Sequence, residues 1–155
     1  MSRTSESALQ QEIQAWIRQN QYVYLATVDK KQPHVRPIVL FLHDDHYFMA
    51  TFSGDSKVGQ IAGNKWVEIC VPLHEDGNTG YIRLTGTARI VSNPSLRAEA
   101  AELCYFFDEY FNGPDDPDYA LIEFCLLYTS DAADDLLCVD LGGRRIIKKK
   151  KIHKI

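Results

Sequence analysis

The stretch YVYLATVDKKQPHVRPIVLFLHDDHYFMAT, Tyr22 to Thr51, sets the architecture. Tyr22 to Val28 is dense in β-branched and aromatic residues and reads as a strand. Asp29 to Pro33 is a turn, and His34 to Leu42 is a second strand. His43 to His46 is a tight turn into a third strand, Tyr47 to Thr51. Connections this short make an antiparallel meander, because a parallel return needs a crossover of about a dozen residues or more.

Upstream of this meander, Leu9, Ile13, Trp16 and Ile17 recur at helical spacing. Ser7 with Gln10 resembles a capping box, and Asn20 with Gln21 ends the helix. Downstream, Phe52 to Asp55 is a loop, with Asp55 as N-cap of a short helix from Ser56 to about Asn64. Val67 to Val71 is a strand, His74 to Gly80 a polar hairpin loop, and Tyr81 to Val91 a long strand. Gly86 reads as a bulge or a bend at a barrel corner. Asn93 and Pro94 open a helix carrying Leu96, Ala100, Leu103, Phe106, Phe107 and Tyr110, which the segment Asn112 to Asp118 stops. Ala120 to Phe124 begins a sixth strand. The expected class is mainly β (β+α): a six-stranded antiparallel barrel with flanking helices.

Length and composition narrow the function. With 155 residues there is room for one domain. A net charge of −4 speaks against sequence-independent nucleic-acid binding, which needs a basic field. The longest apolar run, Ile38 to Leu42, is far short of the ~18 residues of a membrane span, and the N-terminus lacks the order of a secretory signal. Neither a nucleic-acid nor a membrane partner is therefore expected. Cys70, Cys104, Cys125 and Cys138 form no C-x-x-C pair and read as reduced thiols of a cytoplasmic protein. No glycine-rich nucleotide-binding motif is present.

The strongest chemical constellation is Arg36 with Pro37, then Thr51, then Ser53 to Lys57 opening the short helix. A strand end, a glycine-containing loop and a helix N-terminus together make an anion site, because the loop and helix offer free N–H groups and the dipole favours negative charge. A lysine in the first helical turn is unfavourable for the helix itself, and a bound phosphate would offset that. From spacing alone, a phosphate ligand and a solvated surface lysine are equally open readings of Lys57. His43 and His46 have H-x-x-H spacing, but they sit in a hairpin where polar residues are expected, so no metal site is expected. His34 shares a strand face with Arg36. Arg83 is a better ligand candidate than Arg89, since it lies nearer the middle of its strand. Phe106, Phe107 and Tyr110 read as helix core. No Ser–His–Asp or Cys–His nucleophile set is visible, and the catalytic residues are unknown.

The pattern resembles the FMN-binding split barrel of the pyridoxamine 5′-phosphate oxidase family. Tyr24 to Val28, Pro33 to Ile38, Tyr47 to Thr51, and Ser56 with Lys57 fall in the family's order and approximate spacing. Trp66 to Val71 and Tyr81 to Arg89 extend the match over roughly residues 8–124. The resemblance implies a six-stranded split β-barrel and a homodimer with FMN at the subunit interface. It implies that Arg36 and Lys57 hold the phosphate or its surroundings, that Thr51 and Ser56 give it hydroxyl hydrogen bonds, and that the Pro37, Ile38 and Val39 backbone lines the isoalloxazine ring. Expected activity is that of a flavin-dependent oxidoreductase, passing hydride between FMN and an unknown small-molecule substrate. The alternative is a non-catalytic flavin-, haem- or F420-binding protein for storage or sensing. The chain departs from the oxidase at Asp55 and Ser56, where the oxidase has Ser and Arg. Residues 1–124 do not supply the C-terminal segment whose Arg and His hold the vitamin's phosphate in the oxidase, so oxidation of pyridoxamine phosphate is not implied.

Charge divides the chain: residues 1–124 carry 10 basic and 17 acidic side chains, residues 125–155 carry 7 and 4. The basic end is similar to translated sequencing adapter over residues 125–151. Cys125 to Asp134 resembles a transposase-end adapter, Val139 to Ile147 an outer adapter, and Lys148 to Lys151 fits poly-A codons. The expectation is a C-terminally truncated FMN-binding split-barrel domain over 1–124. Residues 125–155 are expected to form an artefactual tail, disordered or poorly packed.

Overall fold

The structure, a computed structural model, describes residues 2–19, 21–75, 78–127 and 139–143. Helix α1 (Ser2–Gln19) leads into strand β1 (Tyr22–Asp29). In β1, Val23, Leu25 and Thr27 turn inward while Tyr22 and Tyr24 face out, the two-residue period of a half-buried strand. Helix α1 buries Ile13 and Ile17 against the same interior, with Trp16 packed beside them. It starts at Ser2, so the expected cap at Ser7 lies within the helix, where Ser and Gln are tolerated. The side chain of Leu9 lies outside the described residues.

Strand β2 (Gln32–Val39) pairs with β1 across a hairpin in which Asp29 faces Gln32. The expected second strand, His34 to Leu42, is two strands: β2 pairs with β1, whereas β3 (Phe41–His43) pairs with β4 (His46–Phe52). Leu40 lies between them, fully buried, its amide donating to the Gln21 carbonyl at 2.8 Å. After β4 come helix α2 (Ser56–Gly63), β5 (Trp66–Glu75), β6 (Asn78–Val91), helices α3 (Pro94–Leu103) and α4 (Phe107–Tyr110), β7 (Tyr119–Leu126) and β8 (Val139–Gly143).

The sheet runs β2-β1-β5-β6-β7-β4-β3, with every pairing antiparallel. Its two ends, β2 and β3, are joined through Leu40 alone. Successive Cα atoms are only about 3.8 Å apart, so the ends must meet and the sheet curls closed. The two end strands are not paired with each other, which leaves the barrel split along that seam. Seven strands thus make the curl where six were expected, because the second strand divides at Leu40. The eighth, β8, pairs with Gly80 to Leu84 of β6, on the edge that β7 uses from Gly86 to Val91. The expected tail begins inside β7, and its residues 128–138 and 144–155 lie outside the described residues.

Strands β5 and β6 run further than expected and take up most of the His74 to Gly80 loop; residues 76–77 lie outside the described residues. Gly86 is not a bulge, since its register with both neighbours is unbroken. A Cβ there would stand 2.1 Å from the Cys125 carbonyl oxygen and 2.7 Å from Phe124 Cε2. Glycine serves close strand approach at this point.

Two cores result. Inside the curl, Val23, Leu25, Leu40, Met49, Ile69, Ile82, Ile122 and Phe124 pack with α1 and with Ile61 of α2. On the outer face of β4 and β7, Phe48, Ala50, Tyr119 and Leu121 pack against Ala100 and Ala101 of α3 and Phe107 of α4. Asn93 caps α3 by accepting from the Leu96 amide at 3.1 Å, as expected. The single expected helix is two, because Cys104 adopts an extended backbone and breaks it.

Candidate functional site

Strand β4 delivers Thr51 to the barrel interior, and alternation sends Phe52 outward onto Tyr110 and Phe111. The loop that follows is pinned at both ends. The Ser53 amide donates to the Asp118 carbonyl at 2.8 Å, and the Asp55 amide to the Phe52 carbonyl at 3.0 Å. This short path lays the first turn of α2 over Thr51. Lys57 Nζ donates to Thr51 Oγ1 at 2.8 Å and to Asp55 Oδ2 at 2.6 Å, and Thr51 Oγ1 donates to the same carboxylate oxygen at 2.5 Å. The Lys57 side chain is 14% exposed and that of Asp55 39%. The Lys57 and Thr51 hydrogen bonds hold the Asp55 carboxyl below its ordinary value. Asp55 stands at the N-cap position of α2 as expected, but its side chain makes no cap bond.

One helical turn further, Gln60 reaches β1 and β2. Its Oε1 accepts from Thr27 Oγ1 at 2.6 Å and from Arg36 Nη2 at 2.7 Å. Arg36 Nη1 donates to Thr27 Oγ1 at 2.7 Å and, at longer range, to the Leu25 and His34 carbonyls. All of these partners are neutral. Burial lowers the Arg36 pKa from its ordinary value, so this guanidinium is a partly desolvated charge. It has no carboxylate partner among the described residues. Lys57 is the opposite case, a cation already paired.

Helix α2 therefore carries the contacts of both cations on one side, at positions three residues apart that share a helix face. Ser56 lies exposed at the start of that helix. In β2, Ile38 turns into the core, while Pro37 and Val39 lie opposite Tyr24 and Tyr22 on the outside of the barrel. Ile38 shares the Arg36 face of the strand, and Pro37 and Val39 offer that side only their backbone. Thr27 and Gln60 were missed from the sequence. The signal was there for Gln60, three residues after Lys57, but Thr27 required the β1–β2 register.

The other candidates separate. Arg83 pairs with Glu68 at 3.5 Å on the outer face. Arg89 pairs with the buried Glu123. His43 Nε2 lies 2.8 Å from Glu99 and His46 Nδ1 lies 2.8 Å from Glu123, so the two imidazoles do not converge. Asp44 and Asp45 between them both have positive φ (47° and 62°), the backbone of a tight two-residue hairpin turn. Among the described residues no three His, Cys, Asp or Glu side chains gather as metal ligands, and no helix is long and apolar enough to cross a membrane.

The outer face of β2, β1, β5 and β6 carries an uncovered apolar surface: Val35, Tyr22, Tyr24, Trp66 and Tyr81 are all exposed. At its margin the Tyr22 and Tyr105 hydroxyls are 2.8 Å apart, and this bond pushes the Tyr105 pKa up to about 12. An apolar face of this kind marks an interaction surface more often than bare solvent contact.

Comparison with known proteins bears on this geometry. The sequence model of the family described as pyridoxamine 5′-phosphate oxidase matches residues 9–128. No curated protein matches the chain. Among solved structures, General Stress Protein 26 from Bacillus anthracis str. Sterne is 24% identical with a TM-score of 0.64, covering 76% of this chain and 88% of that one. A pyridoxamine 5′-phosphate oxidase-related, FMN-binding protein from Nostoc punctiforme PCC 73102 is 19% identical, TM-score 0.60, over 74% and 79%. The heme storage protein HutZ from Vibrio cholerae is 17% identical, TM-score 0.61, over 76% and 89%. At these identities the structural likeness establishes the fold alone.

Proposed function

The chain belongs to the pyridoxamine 5′-phosphate oxidase family, and from that membership we propose a homodimeric FMN-binding oxidoreductase acting on a small molecule. The observation that carries the reading is Arg36, a partly buried guanidinium bonded to neutral groups, anchored through Gln60 to the helix that holds Lys57. A phosphate ester supplies the negative charge that such a cation lacks, and bonds between charged groups are about twice as strong as neutral ones. The donor set fits that ester: Lys57 Nζ, the Thr51 and Ser56 hydroxyls, and the opening amides of α2, which receive no bond from the Asp55 side chain.

When bound, FMN supplies two-electron hydride chemistry. The chain's part is to hold and orient it. Lys57, Thr51, Ser56 and Arg36 fix the phosphate end, and the Pro37, Ile38 and Val39 backbone runs along the ring. A second copy of the chain covers the exposed face of Tyr24 and Val35, and Val35→Asp converts the dimer to a monomer by sedimentation. A cytoplasmic location accords with the free thiols at Cys70, Cys104 and Cys125.

The test is flavin affinity, read by fluorescence quenching. Lys57→Met weakens FMN binding by about tenfold or more, the worth of one charge-assisted bond. A variant that keeps FMN as tightly as the unaltered chain removes the reading. Oxidation of a reduced nicotinamide by the FMN-loaded protein then reports turnover. The likeness to a heme storage protein supports a second reading, carriage without turnover. A Soret band on adding haemin, with no flavin retained, selects it.

A further inference from the structure

We propose that Asp55 is the specificity-determining residue of this site: its carboxylate holds Lys57 and Thr51 as a phosphate would, and a phosphate-bearing ligand must displace it. This rests on the phosphate site proposed above and concerns a residue that the site does not need for holding the ligand.

Three observations converge. The same oxygen, Asp55 Oδ2, accepts from both Lys57 Nζ (2.6 Å) and Thr51 Oγ1 (2.5 Å), the two donors assigned to the ester. Those donors cannot serve Asp55 and a dianion together without placing like charges side by side, which is unfavourable at such range. Secondly, Asp55 stands at the N-cap with extended backbone (φ −67°, ψ 141°), the geometry from which Asp bonds the helix amides, and it does not do so. The carboxylate is committed to the lysine instead. Thirdly, the Asp55 side chain is 39% exposed, so rotation about its own bonds can carry it to water without unpacking the core, whereas Lys57 is only 14% exposed and stays. Asp55 is thus an internal competitor on a hinge of one residue. Its consequence is discrimination: ligands without phosphate meet no competitor at Lys57, while those with phosphate bear the cost of moving it.

The experiment compares FMN with riboflavin, which has the same ring and no phosphate, on the full chain. Affinities are read by fluorescence quenching for the unaltered protein, Asp55→Asn, Asp55→Ser and Lys57→Met. Asp55→Asn keeps an N-cap side chain and removes the charge. It tightens FMN by about tenfold or more, since one charge-assisted bond no longer has to be broken, and leaves riboflavin within about twofold. Inorganic phosphate competes with FMN in this variant and leaves riboflavin binding unchanged. Asp55→Ser, also a capping residue, gives the same pattern if Asp55→Asn folds poorly. The proposal is overturned if FMN affinity stays unchanged or weakens in both variants while Lys57→Met still loses FMN. It is overturned likewise if riboflavin gains as much as FMN. Should Lys57→Met leave FMN affinity untouched, the phosphate site itself fails, and the role of Asp55 with it.

Discussion

Replacing Gly86 by alanine tests the close approach of β6 and β7. The added methyl would stand 2.1 Å from the Cys125 carbonyl oxygen and 2.7 Å from the Phe124 ring. Carbon needs about 3.5 Å from such neighbours, so strand β7 must retreat by about 1.4 Å at the Cys125 carbonyl. Phe124 cannot give way freely, because it is 1% exposed and its ring meets Tyr47 edge-on at 6.0 Å. Overpacking of this kind costs about 1–3 kcal/mol, and one or two loosened ladder bonds near Leu126 add about 1 kcal/mol each. Reduced freedom of the unfolded chain returns about 0.4–1 kcal/mol. The net expectation is a loss of about 2–3 kcal/mol, a fall in Tm of roughly 4–12 °C. Urea unfolding followed by the fluorescence of Trp16 and Trp66 measures it. Gly59→Ala is the control: it lies inside α2 with nothing within 4 Å of the new Cβ. It should stabilise by up to about 1 kcal/mol. If Gly86→Ala unfolds within about 0.5 kcal/mol of the unaltered chain, the scatter of a neutral surface substitution, the β6–β7 approach is wrong.

Three further outcomes are expected. Asn93→Ala removes the side-chain bond to the Leu96 amide and costs about 1 kcal/mol in urea unfolding, with no change in slope. The Asp55 carboxyl has its folded pKa depressed below 3.8, so the unfolded chain binds the extra proton first and this contribution to stability is complete above that value. It is lost as pH falls through the folded value; the advantage of the unaltered chain over Asp55→Asn therefore shrinks on acidification, as midpoints measured across acid pH show. Tyr22→Phe removes the bond that raises Tyr105, so the Tyr105 titration followed by ultraviolet absorbance moves from about 12 toward 10.

Element types were legible in Tyr22 to Thr51 because two-residue alternation and turn residues are local properties, and the Asp44–Asp45 turn is written in its residues. The Asn93 cap was legible for the same reason. The division of the second strand at Leu40 was not, because a run of apolar residues reads identically whether it keeps one partner strand or changes to another. Nor was the role of Gly86, since a glycine for a bulge and a glycine for close approach have the same sequence signature.

At the site, Arg36, Thr51 and Lys57 were identified from residue type and from the helix start that groups two of them. Their pairing was decided only in three dimensions. Lys57 read equally as a phosphate ligand or a solvated lysine, yet the fold neutralises it with Asp55 and leaves Arg36 among neutral partners. Sequence by itself determined which donors and charges the barrel would carry, because those follow from residue identity. The curled sheet determined which of them meet, because a hydrogen bond depends on a distance that only the closure of β2 onto β3 and the seating of α2 bring about.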